Sequence, residues 1–121
     1  MHIAILGIGA MGLPMGRRLA EAGFTVHAWN RTREKAERLQ PLGAQVHDTP
    51  TAAVRDAEVV IGLLENGPVM EDVLFRQGTA KAMRSGALCI DMASTQPREA
   101  RDHAARLGDL GIAHLDAPVS G

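Results

Sequence analysis

Six short apolar runs recur along the chain, and the segments between them carry apolar residues at helical spacing. Residues 3–6 (Ile-Ala-Ile-Leu) predict a first strand. Met11, Met15 and Leu19 follow at i, i+4 and i+8, one face of a helix that begins at about Ala10, while Arg17, Arg18 and Glu21 point elsewhere. Gly23 ends that helix as a left-handed cap. Residues 25–29 make a second strand, and Thr32 is placed to cap a charged helix over 33–40, stopped by Pro41 and Gly43. Residues 44–47 read as a short third strand. Thr49-Pro50 pairs a cap with proline at the first helical position and opens a helix through Asp56. Residues 59–64 are apolar without alternation, as in a strand buried on both faces of a parallel sheet. Gly67-Pro68 opens a helix to about Phe75, and residues 87–91 form a fifth strand. Pro97 starts a helix with Ala100, Ala104, Leu107 and Gly111 on one face, and residues 112–115 form a sixth strand.

Strands alternating with helices in units of about 20 to 30 residues require parallel βαβ construction with right-handed crossovers. The predicted fold class is α/β, a doubly wound, mostly parallel sheet of the Rossmann kind with helices on both faces. Residues 1–121 are expected to form one dinucleotide-binding domain.

Between the first strand and first helix lies Gly7-Ile8-Gly9-Ala10-Met11-Gly12. Glycine at the first position permits a tight turn, at the second a close approach of backbone to a pyrophosphate, and at the third close helix packing. The helix N-terminus then presents unpaired N–H groups and a positive dipole end to the phosphates. Such a string alone is a weak signal; a strand before it, a helix after it and a second strand ending about 20 residues on make it a dinucleotide fingerprint. At that second strand end, sites that prefer NAD place a carboxylate on the ribose 2′-hydroxyl. This chain has Asn30-Arg31-Thr32 instead. A neutral amide, a guanidinium that forks onto phosphate and a hydroxyl point to NADP.

Composition narrows the partners. A formal charge of −1 over 121 residues gives no electrostatic reason to expect nucleic acid, and two Phe, one Trp and no Tyr leave little for bases to stack on. No apolar run reaches the roughly 18 residues of a membrane span, so no membrane partner is expected. The first strand begins at once, with no secretory or transit leader ahead of it, which predicts a cytoplasmic protein or a mature form whose leader has been removed. Cys89, the one cysteine, lies in an apolar run and reads as a small buried hydrophobe. The five histidines lack metal-ligand spacing and no metal is expected; Asp91 and Asp116 sit at strand ends, where turn hydrogen bonding explains them.

With these residues in view, the chain resembles the N-terminal domain of the β-hydroxyacid dehydrogenases, the group of 3-hydroxyisobutyrate dehydrogenase and tartronate semialdehyde reductase. Four segments carry the likeness in order: GIGAMGLPM (7–15), LLENGP (63–68), DMASTQP (91–97) and DAPVSG (116–121). The resemblance implies that backbone at Ile8, Gly9, Ala10 and Met11 cradles the pyrophosphate, and that Asn30, Arg31 and Thr32 hold the 2′-phosphate. It implies that Leu63 and Leu64 line the nicotinamide ribose, that Ser94 contacts the nicotinamide half, and that Ser120 and Gly121 receive a small-molecule carboxylate substrate. Read from the residues alone, Ser120-Gly121 is an ordinary turn leaving the sheet. Glu65 stands where the family usually has proline, and Ala93 where it usually has serine.

Members of that family exceed twice this length and place their general acid/base on a lysine of a long helix that follows the dinucleotide domain and leads into a helical C-terminal domain, which is absent here. The only lysines, Lys35 and Lys81, do not fall near a hydride acceptor, so no catalytic residue is assigned within the chain. The implied activity is hydride transfer between NADP(H) and a 3-hydroxy acid or its semialdehyde, with this chain inactive alone and the full-length protein a homo-oligomer. An imine reductase-like domain and a non-catalytic NADP-sensing module are the alternatives.

Overall fold

The computed structural model describes residues 1–118. Six parallel strands, β1 (His2–Leu6), β2 (Thr25–Trp29), β3 (Gln45–Val46), β4 (Val59–Gly62), β5 (Leu88–Asp91) and β6 (Ala113–Asp116), form one sheet in the order β3-β2-β1-β4-β5-β6. The order reverses between β1 and β4, and α/β sheets bind ligands in the crevice beyond the strand ends at such a point. Helices α1 (Gly12–Glu21) and α2 (Arg33–Glu37) cover one face; α3 (Pro50–Val54), α4 (Gly67–Glu71), α5 (Thr79–Ala82) and α6 (Pro97–Gly108) cover the other.

Side-chain alternation along the strands divides the core in two. Ile5, Val26 and Ala28 pack with Ala36 and Leu39 beneath α1 and α2. Ala4, Leu6, Val60 and Cys89 pack with Val54, Met70, Ala80 and Leu107 on the opposite face. Burial lifts the Cys89 thiol to about 12, so it stays a protonated hydrophobe.

Several boundaries differ from expectation. The first helix buries Gly12 and Gly16 while Met11 is 46% exposed, because this face packs so tightly that an added Cβ at Gly16 would stand 2.7 Å from Leu39 Cδ1, beyond the end of α2, and 3.4 Å from Ile5 Cδ1 on β1. The long methionine side chains are displaced to its flank. α2 stops at Glu37, since Pro41 enters a 3₁₀ turn (Gln40–Leu42) that ends at Gly43 with φ of 95°. β4 ends at Gly62, two residues short of the expected end, although Leu63 N–H still donates to Leu6 O at 2.8 Å. α4 continues as a π-helical turn over Asp72–Arg76, and the connection bearing Lys81 contains the extra helix α5. In α6 the buried residues are Ala100, His103 and Leu107, while Gly111 lies past its end with φ of 77°.

Candidate dinucleotide site

The loop after β1 is built for close backbone approach. Gly7 has φ of 102°, a left-handed conformation costly for any residue with a Cβ, and its N–H donates to Trp29 O at 2.9 Å. A Cβ at Gly12 would collide with the Gly7 carbonyl oxygen, whereas a Cβ at Gly9 would meet nothing within 4 Å. The two outer glycines thus close the turn, and the middle one faces open space.

α1 starts without a side-chain cap at Met11. The N–H groups of Ala10 and Met11 donate to no acceptor among the described residues, while Leu13 N–H already reaches Gly9 O at 3.1 Å. Free N–H groups at the positive end of a ten-residue helix, beside an uncrowded glycine, suit a pyrophosphate.

Asn30 ties this loop to the end of β2. Its Oδ1 accepts from Ile8 N–H at 2.8 Å and its Nδ2 donates to Thr32 O at 2.9 Å. Both ends of the amide therefore brace backbone. Thr32 holds the N-cap position of α2, but its hydroxyl makes no capping bond and stays available. Arg31 is exposed at the mouth of the crevice.

A cleft of about 400 Å³ brings most of the expected residues together: Gly7 and Gly9 at its floor, Asn30, Arg31 and Thr32 on one side, Leu63 and Leu64 on the other. Lys35 and Glu65 also line it. Lys35 was not among the expected site residues, although one helical turn beyond Thr32 it comes up beside the same crevice. Ser94 lies apart from this cleft, in a second hollow of about 510 Å³ between the starts of α4 and α6, where it bridges to Asn66. Neighbouring Asp91 is fully buried, accepts from Ala93 N–H at 2.9 Å, and is held above the usual carboxylate range by burial. It shapes the turn that carries Ser94. Ser120 and Gly121 lie outside the described residues.

Three of the histidines, scattered along the sequence without metal-ligand spacing, are joined. His2 Nδ1 is 2.8 Å from His27 Nε2, and His27 Nδ1 is 3.0 Å from His47 Nε2, on the side of the sheet that carries Ala4 and Leu6. Strand parity held the signal, since all three fall on one face once the order β1-β2-β3 is known. Elsewhere, Glu71, Asp102 and His103 cluster, and the Arg106 guanidinium already bonds both carboxylates. No helix among the described residues is long and apolar enough to cross a membrane.

Comparison with known proteins agrees with this architecture. The sequence profile of the NAD-binding domain of 6-phosphogluconate dehydrogenase matches residues 2–121. The chain is 34% identical to 2-hydroxy-3-oxopropionate reductase of Escherichia coli, over 100% of its own length and 41% of that protein. Among solved structures it superposes on 3-hydroxyisobutyrate dehydrogenase of Mycobacterium tuberculosis, solved with L-serine, at a TM-score of 0.91 and 34% identity, covering 99% of this chain and 40% of that one. An imine reductase from Myxococcus stipitatus in complex with NADP+ gives a TM-score of 0.91 at 26% identity, covering 100% of this chain and 42% of that one. The chain thus spans about two fifths of the relatives it matches. On this fold, crevice and profile match, the chain belongs to the family of the NAD-binding domain of 6-phosphogluconate dehydrogenase, a domain for a nicotinamide dinucleotide.

Proposed function

We propose that this chain is the NADP-binding domain of an oxidoreductase that moves hydride between NADP(H) and a 3-hydroxy acid or its semialdehyde. The observation that carries the cofactor choice is the end of β2, where an exposed guanidinium and an uncommitted hydroxyl, Arg31 and Thr32, flank the cleft where NAD sites place a carboxylate. Arg31 forks onto the 2′-phosphate, Thr32 donates its hydroxyl, and Asn30 fixes both to the phosphate loop through its two backbone bonds. The N–H groups of Ala10 and Met11 receive the pyrophosphate. Leu63 and Leu64 form the apolar wall against the ribose, and Ser94 contacts the nicotinamide half. Bound cofactor supplies the hydride; the chain supplies position.

Substrate class follows from the likeness to the reductase and dehydrogenase above, with Ser120 and Gly121 taking the substrate carboxylate. Neither lysine is placed for proton transfer. Lys35 lies in the crevice beside Arg31, and Lys81 stands on α5 next to Phe75 and Arg106. On this reading the chain alone binds cofactor without turning over, and the proton donor belongs to a helical partner domain in a cytoplasmic, homo-oligomeric protein. The likeness to imine reductases favours a second reading in which the acceptor is a C=N bond.

Titration with NADPH and NADH tests the cofactor. Arg31→Ala should weaken NADPH at least about tenfold, roughly 1.4 kcal/mol, and leave NADH nearly unchanged. Equal affinity for both dinucleotides, insensitive to Arg31, would remove the NADP assignment. Assay of a full-length protein with semialdehydes and with cyclic imines separates the two acceptor readings.

A further inference from the structure

Arg31 meets an acidic residue from the opposite lip of the crevice. Its Nη2 stands 3.9 Å from Glu65 Oε1, joining the turn after β2 to the turn after β4. Both side chains are largely exposed, 85% and 76%, so the pair adds little to folding. Among the described residues the Glu65 carboxylate has no other hydrogen-bond or ion-pair partner. Two long, solvated side chains converge from opposite lips over the crevice proposed to hold the dinucleotide.

We propose that Glu65 is a cofactor-discriminating residue that competes with the 2′-phosphate for Arg31 and narrows the preference for NADP over NAD. The inference rests on the reading that Arg31 receives that phosphate. A phosphate arriving at the guanidinium brings up to two negative charges to a cation already within 4 Å of a carboxylate. It must displace Glu65 or bind beside it, and either costs affinity. A ribose with a free 2′-hydroxyl brings no charge, and the same carboxylate can accept a hydrogen bond from it. Glu65 thus works against the phosphorylated cofactor and not against the other. Lys35, on the same cleft, supplies a further cation that Glu65 does not reach within ion-pairing distance, so the phosphate retains an attraction when Arg31 is partly occupied.

The test uses the adenosine half alone, which needs no partner domain. Adenosine 2′,5′-bisphosphate and adenosine 5′-monophosphate are titrated calorimetrically into the wild-type chain, Glu65→Gln and Arg31→Ala at low and high salt. Glu65→Gln should raise bisphosphate affinity about fivefold at low salt and leave the monophosphate within about twofold. The gain should shrink at high salt, and the urea midpoint should match wild type, since the pair is exposed. If the wild type prefers the bisphosphate through Arg31 but Glu65→Gln leaves the ratio unchanged, the discriminating role is wrong and the NADP assignment stands. A fall in bisphosphate affinity would equally overturn the proposal, showing that Glu65 positions Arg31 productively. If the wild type shows no bisphosphate preference and no dependence on Arg31, the NADP reading itself fails.

Discussion

His27 Nδ1 lies 3.0 Å from His47 Nε2, and the two ring planes are 28° apart with centroids 5.2 Å apart. With His2 on the other nitrogen of His27 they form a hydrogen-bonded chain of three imidazoles. Each inner bond holds one proton and each outer nitrogen can hold one more. The chain therefore admits one positive charge with its bonds intact, and a second breaks one of them.

Acid should therefore destabilise the fold through this row. Burial first and then the neighbouring histidines hold His27 below the ordinary imidazole range; burial and Arg33 do the same for His47, with Asp56 opposing in both cases. The unfolded chain takes up these protons near pH 6.5, before the folded one does. Their contribution is fully present above about pH 6.5 and is lost as pH falls below it. Asp91, raised by burial, acts in the opposite sense, gaining as pH falls, so the comparison must isolate the imidazoles. Urea midpoints between pH 8 and pH 5 should fall for wild type and fall less steeply for His27→Gln. A wild-type slope unchanged in that variant would show that the row does not titrate in this way.

The phosphate loop offers a paired test of folding against binding. Gly12→Ala sets a methyl against the Gly7 carbonyl oxygen, which only a backbone shift relieves, and should cost about 1–3 kcal/mol. Gly9→Ala meets no protein atom within 4 Å and should leave stability within about 0.5 kcal/mol. It fills the space assigned to the pyrophosphate, so NADPH affinity should drop more than about tenfold, roughly 1.4 kcal/mol. Gly9→Ala binding as well as wild type would move the pyrophosphate elsewhere.

The repeat of strand and helix, the six strands and the Gly7–Gly12 loop are all legible in the sequence because local pattern determines them. Strand burial shows as an apolar run, and the loop needs glycine at Gly7 and Gly12 for steric reasons. What local pattern does not carry is distance across the sheet. His2, His27 and His47 are 25 and 20 residues apart, and Arg31 and Glu65 further still, so each meeting depends on strand order. The helix face of α1 misled for a related reason: glycine scores as neutral in a periodicity, yet close contact with the Gly7 carbonyl and with Leu39 selects it over methionine. The π turn after α4 leaves no comparable mark in residue spacing.

Asn30 should prove structural as well as functional. Asn30→Ala leaves the N–H of Ile8, itself 2% exposed, without its acceptor, at an expected cost of about 1–3 kcal/mol in urea unfolding. Asn30→Asp keeps that acceptor and loses the donor to Thr32 O, so it should cost less. It also sets a carboxylate next to Arg31, and NADPH affinity should fall relative to NADH. Alanine as stable as wild type would show that water replaces the brace.

The last strand predicts how this chain behaves in solution. Ile5, Ile61, Ile90 and Leu115 are register neighbours across four parallel strands and face the same side. Their exposure climbs outward, from 0% at Ile5 and 8% at Ile61 through half-buried Ile90 to 51% at Leu115, because α1 and α2 cover only the β1–β2 side of that face. The opposite row, Ala4, Val60, Cys89 and His114, stays covered by the helices of the other layer. An apolar strip beside a strand edge that no other described strand pairs with invites association. Leu115→Gln should lower the weight-average mass in sedimentation while moving the unfolding midpoint by no more than about 0.5 kcal/mol. If wild type sediments as a monomer at high concentration, the strip is too small to drive assembly, and the homo-oligomer proposed for the full-length protein must use other surfaces.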